Sequence, residues 1–394
     1  MVLAGAALFQ SALLGVWINI TGIFLAQIRV EMGLSVTQVS MYYTCKNIGA
    51  SLLGAVLAGI FFRSNKKIYM AVIILAEILS ALLLVVGADT WLWYASAAAC
   101  SLAQGCSGIM VPYVLNPWFG EKAGLATGTV MAASGLASAV ISPLASYLIE
   151  GYGWRTAVFW MCGIMAVMAL ASLVLMFRHE APQQQNSTKT AVSGRSAPKP
   201  DREKSAGKFL WGTFLACCLI FLSGTILMQF TQYISIYAQA AGYSLTIGAA
   251  LTSIHMVGNT AGKFLFGIFE DVLGVWRSIM IAFACIFLSS VCMIFFSSCL
   301  PLLYVAALGY GMVYALVMIS VSRGSIAAYG EEKSKGYVGI HVSINNAAGA
   351  IFAMLIGMVY DYTLSFIPIL GFGAVFCLMA GGAAFALDRR NRRG

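Results

Sequence analysis

Residues 258–271 read Gly258-Asn259-Thr260-Ala261-Gly262-Lys263-Phe264-Leu265-Phe266-Gly267-Ile268-Phe269-Glu270-Asp271. Lys263 is a single cation deep inside an apolar segment. A lysine near the centre of a bilayer costs about 2.5–3.5 kcal/mol, so such residues usually face a polar cavity or a partner. The segment therefore predicts a membrane helix that keeps a buried positive charge.

The composition indicates a helical membrane protein. Of the 394 residues, 60% are hydrophobic and 9% are charged, whereas a soluble domain carries about 25% charged residues. The net charge of +9 is spread over short loops and tails, which argues against a basic face for nucleic acid. The first apolar stretch, from Val2 to Ile28, is too long for a cleavable signal and predicts the first span.

Hydropathy predicts an all-α fold with twelve spans, because apolar runs of roughly 20 residues recur along the chain. Their approximate bounds are 4–28, 38–62, 68–88, 92–116, 125–149, 156–177, 209–239, 246–269, 278–297, 301–325, 337–359 and 367–387. The polar, proline-bearing segment 178–208 cannot build a core and predicts a flexible linker. The domains are then a six-helix bundle at 1–177 and a second at 209–394 with a short basic tail.

The two halves echo one another. Span four is followed by Gly120-Glu121-Lys122-Ala123-Gly124, and span ten by Gly330-Glu331-Glu332-Lys333-Ser334-Lys335-Gly336. Spans two and eight end in Gly59-Ile60-Phe61-Phe62 and Gly267-Ile268-Phe269-Glu270. Parallel six-span repeats joined by a linker are typical of transporters that hold substrate between their halves.

The loop cations predict the orientation. The positive-inside rule places both termini and the linker in the cytoplasm of a plasma-membrane (bacterial inner-membrane) protein. The cations on that side are Arg63, Lys66, Lys67, Lys122, those of the linker, Arg277, Lys333, Lys335 and Arg389 to Arg393, while the opposite face has only Arg29 and Arg155.

The ten cysteines all fall in apolar segments by this reading, with no metal-like Cys-x-x-Cys pair. Cysteine in such places packs as a small apolar residue. We therefore expect no disulfides, no metal and no cofactor.

Three motifs resemble the major facilitator superfamily. They are Gly151-Tyr152-Gly153-Trp154-Arg155, then Asn116-Pro117-Trp118-Phe119 with Gly124-Leu125-Ala126-Thr127-Gly128, and Gly258-Asn259 with Gly262-Lys263, Gly267 and Asp271. Within that family, the last two look like the bacterial oxalate/formate antiporter and monocarboxylate transporter branch. The resemblance implies two six-helix bundles related by pseudo-two-fold symmetry.

The branch also implies candidate substrate contacts. The position of Lys263 is similar to the one that binds the substrate carboxylate, usually as Arg. Asn345 stands where oxalate-type members carry a second cation, so a monocarboxylate fits better than oxalate. Asn19, Tyr113, Tyr233 and Tyr237 fall where related transporters place cavity residues, although helix packing or anchoring would also explain the tyrosines.

Other polar residues have two readings each. Glu77, the only acid well inside a span, is a candidate for proton coupling or for a bond between helices. His341, four residues from Asn345 and on one face with it, has the same alternatives or could donate to the substrate. Lys46 either extends toward the membrane surface or lines the cavity.

The gating motif is expected only in the second half. The resemblance implies a helix-latching motif formed by Gly267, Asp271 and Arg277, whereas the loop Arg63-Ser64-Asn65-Lys66-Lys67 lacks the acid of the first-half copy. Arg323, near the same end of span ten, is expected to pair with Glu331 or with lipid phosphate rather than with the substrate, which is the alternative.

The sequence predicts a monomeric, non-enzymatic secondary transporter. Its substrate would be a small organic anion, most simply a monocarboxylate, moved by alternating access through proton symport or anion exchange. No G-x-x-x-x-G-K-[ST] motif is present, which argues against an ATP-driven pump. The alternatives are a drug, sugar or amino-acid transporter of the same fold, or a membrane sensor that does not transport.

Overall fold

The computed structural model describes residues 1–87, 90–177 and 210–392. The predicted linker 178–208 and the tail residues Arg393 and Gly394 lie outside the described residues. So do the side chains of Arg63, Cys106 and Glu331.

The described residues form helices that correspond to the twelve predicted spans. In chain order the helices are α1 Val2–Gln10, α2 Thr21–Met32, α3 Val36–Arg63, α4 Lys66–Val86, α5 Thr90–Phe119, α6 Ala123–Tyr152, α7 Trp154–Phe177, α8 Leu210–Phe230, α9 Ile234–Ala240, α10 Leu245–Leu273, α11 Val275–Phe295, α12 Leu300–Tyr310, α13 Val313–Tyr329, α14 Glu331–Thr363 and α15 Ile367–Asn391. Span one combines α1 and α2, span seven combines α8 and α9, and span ten combines α12 and α13.

Several helices are longer than hydropathy predicts. Span eleven was expected at 337–359, but α14 covers Glu331–Thr363. It begins directly after Gly330, whose φ of 80° is a conformation that glycine adopts without strain. Hydropathy detects only the apolar part of a helix, whereas the helix continues until a backbone feature ends it.

Eight stretches among the described residues are long and apolar enough to cross a membrane. The 29-residue α10 is not one of them, although it spans about 43 Å at 1.5 Å per residue. His255, Asn259 and Lys263 lower its hydropathy. A polar helix of this length needs a polar or protein-lined environment, and α10 finds one between the two halves.

Helices α1–α7 pack as one half and α8–α15 as the other. The halves meet along a seam in which α3 contacts α14, α6 contacts α10, and α2 contacts α9, the turn before it and α10. No ion pair joins the halves among the described residues, because the recorded pairs all lie within one half. The seam therefore depends on hydrogen bonds and close packing.

Three spans are interrupted near their middle. Span one has a π-helical turn at Ser11–Ile18, and span seven has a 3₁₀ turn at Thr231–Tyr233. In span ten, α12 ends at Tyr310, and a Cβ on the following Gly311 would collide with the carbonyl oxygen of His255. Irregular turns inside membrane helices are typical of the substrate region of secondary transporters.

Nine cysteines are described, and all are free thiols. The expectation that every cysteine falls in an apolar segment was wrong for Cys299, which the predicted bounds 278–297 and 301–325 already leave between two spans. This residue is exposed in the short loop between α11 and α12, because α11 ends four residues earlier.

Candidate functional site: a lysine at the seam between two bundles

The α3–α14 contact is antiparallel and strongest at one end. The Asp361 carboxylate accepts hydrogen bonds from the amides of Val36 (2.8 Å) and Thr37 (2.7 Å). An anion at the first turn of a helix is stabilised by the helix dipole. Further along, Thr44 donates to the Ala350 carbonyl at 3.1 Å.

The α6–α10 contact is also antiparallel, since residue numbers rise along one helix as they fall along the other. Its hydrogen bonds join Thr246 to Glu150, Ser253 to the Ala139 carbonyl, Thr260 to the Ala132 carbonyl (3.3 Å) and Lys263 to the Met131 carbonyl (3.3 Å).

The space around the glycines of α6 and α10 shows where these two helices pack closely. A Cβ on Gly135 would collide with the Thr260 hydroxyl. Two turns further along each helix, Gly128 and Gly267 would lie opposite one another in the same register, yet a Cβ on either would meet nothing within 4 Å. The helices have therefore separated at that level.

The molecule thus has two different ends. We call the end with Leu34, Gly153 and Leu364 the sealed end, because the seam hydrogen bonds run from there to Lys263. We call the other end, with Lys66, Lys122, Gly274 and Gly330, the basic end. The seam is closed from the sealed end to the middle and open beyond it at Gly128 and Gly267.

Lys263 lies at the inner limit of the closed seam. Its side chain is partly buried, and within the described part of the chain its Nζ donates only to the Met131 carbonyl oxygen. That oxygen also accepts the hydroxyl of Ser134 at 2.8 Å. No carboxylate lies within 4.0 Å of the ammonium among the described residues. An ammonium has three N–H donors. The Lys263 ammonium can therefore still donate hydrogen bonds to an anionic ligand.

Other polar groups near Met131 and Lys263 are also incompletely bonded. Gln10 is fully buried, its Nε2 donates to the Met131 sulfur at 3.2 Å, and its Oε1 has no partner among the residues that the structure describes. Asn259 lies one turn from Lys263 on α10, and its buried Oδ1 likewise has no partner in the described part of the chain. Buried polar groups are normally bonded, so such exceptions mark functional candidates.

Two of the predicted asparagines lie at the interrupted or seam helices. Asn19 follows the π-helical turn, and its Nδ2 donates to the Ser138 hydroxyl at 2.9 Å across to α6. Asn345 is 7% exposed on α14 and has no hydrogen-bond partner among the described residues. Both remain able to offer an oxygen or an amide hydrogen to a ligand.

The three predicted tyrosines are separated by the structure. Tyr233 donates to the Ala353 carbonyl and contacts the Ser40 hydroxyl, both at 2.8 Å, and so belongs to the α3–α14 contact. Tyr237 donates to the Met293 carbonyl at 2.7 Å within the second half. Tyr113 is 41% exposed, with Lys66 5.3 Å from its ring centroid at the basic end. None is seen to contact Lys263.

His341 and Glu77 are buried within opposite halves. His341 is stacked on Phe214, with Nε2 3.2 Å from the Tyr329 hydroxyl and Nδ1 3.6 Å from the Cys218 sulfur. Both ring nitrogens of His341 therefore already have partners within the second half. Glu77 is fully buried between helices of the first half and accepts from the Cys100 thiol at 3.7 Å.

The charges of the gating motif have partners other than each other. Asp271 pairs with Arg323 at 3.4 Å, and Arg277 pairs with Asp388 on α15 at 3.4 Å. Arg323 makes its shortest ion pair with the buried Glu270, at 2.8 Å. The expected partner of Arg323, Glu331, has an undescribed side chain, and the expectation missed Glu270 because helix contacts across α10 and α13 cannot be read from one segment.

Lys46 does not extend to the membrane surface, contrary to one of its two predicted readings. It is 1% exposed, and its Nζ lies 5.1 Å from the centroid of the Tyr43 ring. The sequence gives the depth of a side chain along a helix but not the direction in which it points, and this one points into its own half.

Sequence reasoning also missed Gln10 and Asn259, whereas it assigned Gly135 to close helix packing without naming the partner helix. Asn259 belongs to the Gly258-Asn259 motif, and its spacing of four from Lys263 places both residues on one face of a helix. Gln10 is the one glutamine in the first nine-residue helix, α1, and its polarity within an apolar span was the available signal. Nothing in the sequence indicates that Gly135 faces Thr260.

A groove of about 550 Å³ on α7 is a poor candidate for a polar solute. Its lining comes from that helix alone and is apolar except for Thr156. The seam is the more plausible place for a ligand, since it brings together polar groups from both halves.

Two six-span halves, interrupted helices and a polar seam between them are typical of secondary membrane transporters. The chain matches the Major Facilitator Superfamily over residues 7–353. It belongs to this family, and it has the family's two-bundle membrane fold.

Known transporters resemble the chain to different extents. The MFS-type transporter hasB of Aspergillus fumigatus is 27% identical over 238 residues, which are 57% of this chain and 51% of that protein. The riboflavin transporter RibJ of Trypanosoma brucei brucei is 32% identical over 90 residues, 23% of this chain and 15% of that protein. The chain thus spans about half, or less, of the curated relatives it matches.

Two solved structures share the fold over nearly the whole chain. A variant of the nucleoside transporter NupG superposes with a TM-score of 0.72 at 14% identity, covering 98% of both chains. A bacterial homologue of the human lysosomal transporter Spinster, in an inward-facing and occupied conformation, gives a TM-score of 0.68 at 14% identity, covering 98% of this chain and 96% of that one.

Proposed function

We propose that this transporter moves a small organic monocarboxylate and binds its carboxylate through Lys263. The observation that carries the proposal is the bonding of the ammonium. It is partly buried at the seam, it shares one carbonyl with Ser134, and no carboxylate lies within 4.0 Å among the described residues. A carboxylate entering there would convert a poorly compensated cation into a charge-assisted pair.

Asn19 and Asn345 are proposed as secondary contacts. They belong to different halves, so a ligand that touches both would favour a state in which the halves approach each other. Tyr233 and Tyr237 are better assigned to the seam and to the second half, because their hydroxyls already have partners. Lysine offers a point charge rather than the bidentate fork of arginine, so specificity for the carboxylate plane should be modest.

The seam supports an alternating-access cycle. In the described conformation the sealed end is packed and the helices separate at Gly128 and Gly267. We assign the basic end to the cytoplasm from its cations, which makes this conformation open to the inside. Opening the sealed end requires only that hydrogen bonds and packing contacts between the two halves be broken.

The orientation gives a prediction that uses a native residue. Cys299 is exposed in the α11–α12 loop at the sealed end, so a membrane-impermeant maleimide should label it in intact cells. Lys67→Cys, at the basic end and exposed, should be labelled only by a permeant reagent in a Cys299→Ser background. The reverse pattern would invert the assignment.

The proposal is tested by uptake into proteoliposomes. Radiolabelled short monocarboxylates should accumulate, and a matched dicarboxylate panel should enter more slowly because the site provides one cation. Each substrate is measured with and without an inward proton gradient, and with the unlabelled anion inside, to separate symport from exchange. Transport of neutral solutes with no carboxylate transport would contradict the proposal.

Another solute class is the second candidate. Named relatives with this fold include nucleoside and riboflavin transporters, whose substrates carry no carboxylate. The same uptake panel should therefore contain a nucleoside and riboflavin. Uptake of either that does not depend on Lys263 would favour this alternative.

A further inference from the structure

At the sealed end, α3 and α10 begin in the same way, one in each half. In both corners the glycine has a left-handed φ, 64° in the first half and 87° in the second. The serine caps its helix and accepts the amide three residues further on. A serine cap bonds only one of the amides that a helix leaves free in its first turn, so the others still need acceptors. The two corners read Gly33-Leu34-Ser35-Val36-Thr37 and Gly242-Tyr243-Ser244-Leu245-Thr246.

A carboxylate from the opposite half supplies an acceptor at both corners. Asp361 of α14 accepts the amides of Val36 and Thr37, at 2.8 and 2.7 Å. Glu150 of α6 accepts the amide of Thr246 at 3.1 Å and also its hydroxyl. Each acid is the third residue from the C-terminal end of its helix. Equivalent bonds therefore cross the seam at two places, with the acid contributed once by each half.

The two acids occupy an unfavourable position in their own helices. The C-terminal end of a helix carries a partial negative charge, so a carboxylate in the last turn is repelled. The N-terminal end of the helix in the opposite half carries a partial positive charge and free amides, and it stabilises the same carboxylate. The antiparallel contacts of α3 with α14 and of α6 with α10 bring these ends together. Each acid thus has this favourable partner only while the sealed end is closed.

We infer that Asp361 and Glu150 are two carboxylate latches that hold the sealed end closed. Their bonds join opposite halves at the outer limit of the seam, where no ion pair among the described residues does so. Opening this end breaks both sets of bonds and leaves each acid beside the C-terminus of its own helix. The bonds of Asp361 are partly buried, whereas those of Glu150 are exposed. Asp361 is therefore the stronger latch, because exposed charges are screened by water and salt.

The two latches are separate from the proposed substrate site. They involve neither Lys263 nor a substrate, and they explain how the sealed end is closed rather than what is carried. Their test needs no substrate either, so the latches and the carboxylate site can fail independently.

The experiment measures how often the sealed end is open. Nitroxide spin labels on the native Cys299 and on Trp91→Cys report the distance across this end, since both positions are exposed and lie at the starts of spans ten and four. The parent should give mainly the short distance. Asp361→Asn keeps the shape of the side chain but removes its charge. It should raise the ratio of long to short distances about tenfold, the effect of one hydrogen bond to a charged group, and Glu150→Gln should raise it less.

Combined variants test whether the bonds themselves are responsible. The latches lie on separate helix contacts, so the double variant Glu150→Gln/Asp361→Asn should raise the ratio by about the product of the single effects. Thr246→Val removes the hydroxyl that donates to Glu150. It should open the sealed end on its own, yet add little in the Glu150→Gln background.

The matched control is Glu31→Gln. Glu31 is an acid at the same end, but it pairs with Arg155 of its own half at 3.0 Å, so its loss should leave the ratio unchanged. The melting temperature of each variant establishes that it is folded. Parent-like ratios in folded Asp361→Asn and Glu150→Gln would overturn the inference. So would an equal rise in Glu31→Gln, which would assign the effect to net charge.

Discussion

Lys263→Ala is expected to lower the affinity for a transported carboxylate about ten- to a hundredfold. A hydrogen bond to a charged group is worth about 1.5–3 kcal/mol, and 1.4 kcal/mol corresponds to one decade. Initial uptake rates over a range of substrate concentrations measure the effect. The fold should survive, because the substitution also removes a buried charge that has one carbonyl partner.

Two variants make the result specific. Lys263→Arg retains the charge and should keep partial or full transport. Lys122→Ala removes an exposed cation at the basic end and should transport like the parent protein. Parent-like uptake by Lys263→Ala would contradict the role of Lys263 in substrate binding, whatever the thermal stability of the variant.

Substitutions of two glycines on one face of α6 are expected to favour opposite conformations of the transporter. Gly135→Leu would place a side chain into Thr260 and the Met256 carbonyl, 3.2 Å from the Cβ position. Such overpacking costs about 1–3 kcal/mol. It should therefore open the sealed end and shift the population about five- to a hundredfold.

Gly128→Leu meets open space in the described conformation and should cost nothing there. It would, however, obstruct the approach of α6 to α10 at Gly267, so the protein should remain open at the basic end. Both variants should lose net transport, but the spin-label distance across the sealed end should lengthen for Gly135→Leu and stay short for Gly128→Leu. Gly163→Leu, in open space on α7, is the control. Identical distances in the two seam variants would contradict the assigned register.

The fold was largely predictable because a membrane helix can be recognised in the sequence from the length and hydropathy of its apolar run. Each of the twelve expected spans has its helix, and the family membership follows from motifs that lie in this sequence. The interruptions at Ser11–Ile18 and Gly311 were not predicted. They depend on how closely a neighbouring backbone approaches, which no local pattern reports.

The candidate site was predictable only in part. The cost of burying Lys263 identified it without a structure, and its position at the seam fits that reasoning. The surroundings depend on which way each helix faces. Tyr233 therefore proved to be a seam contact, Lys46 pointed into its own half, and Arg277 paired with Asp388 from a helix more than a hundred residues away.

Direct binding tests the central claim that Lys263 holds a carboxylate. Titration of the purified, detergent-solubilised protein with the monocarboxylate identified by uptake should raise its melting temperature, because a ligand that binds only the folded state adds a stability that grows as the logarithm of 1 + [L]/Kd. The same titration of Lys263→Ala should show little or no rise, while Lys263→Arg should restore it. Equal stabilisation of the parent and Lys263→Ala by the carboxylate would contradict the account.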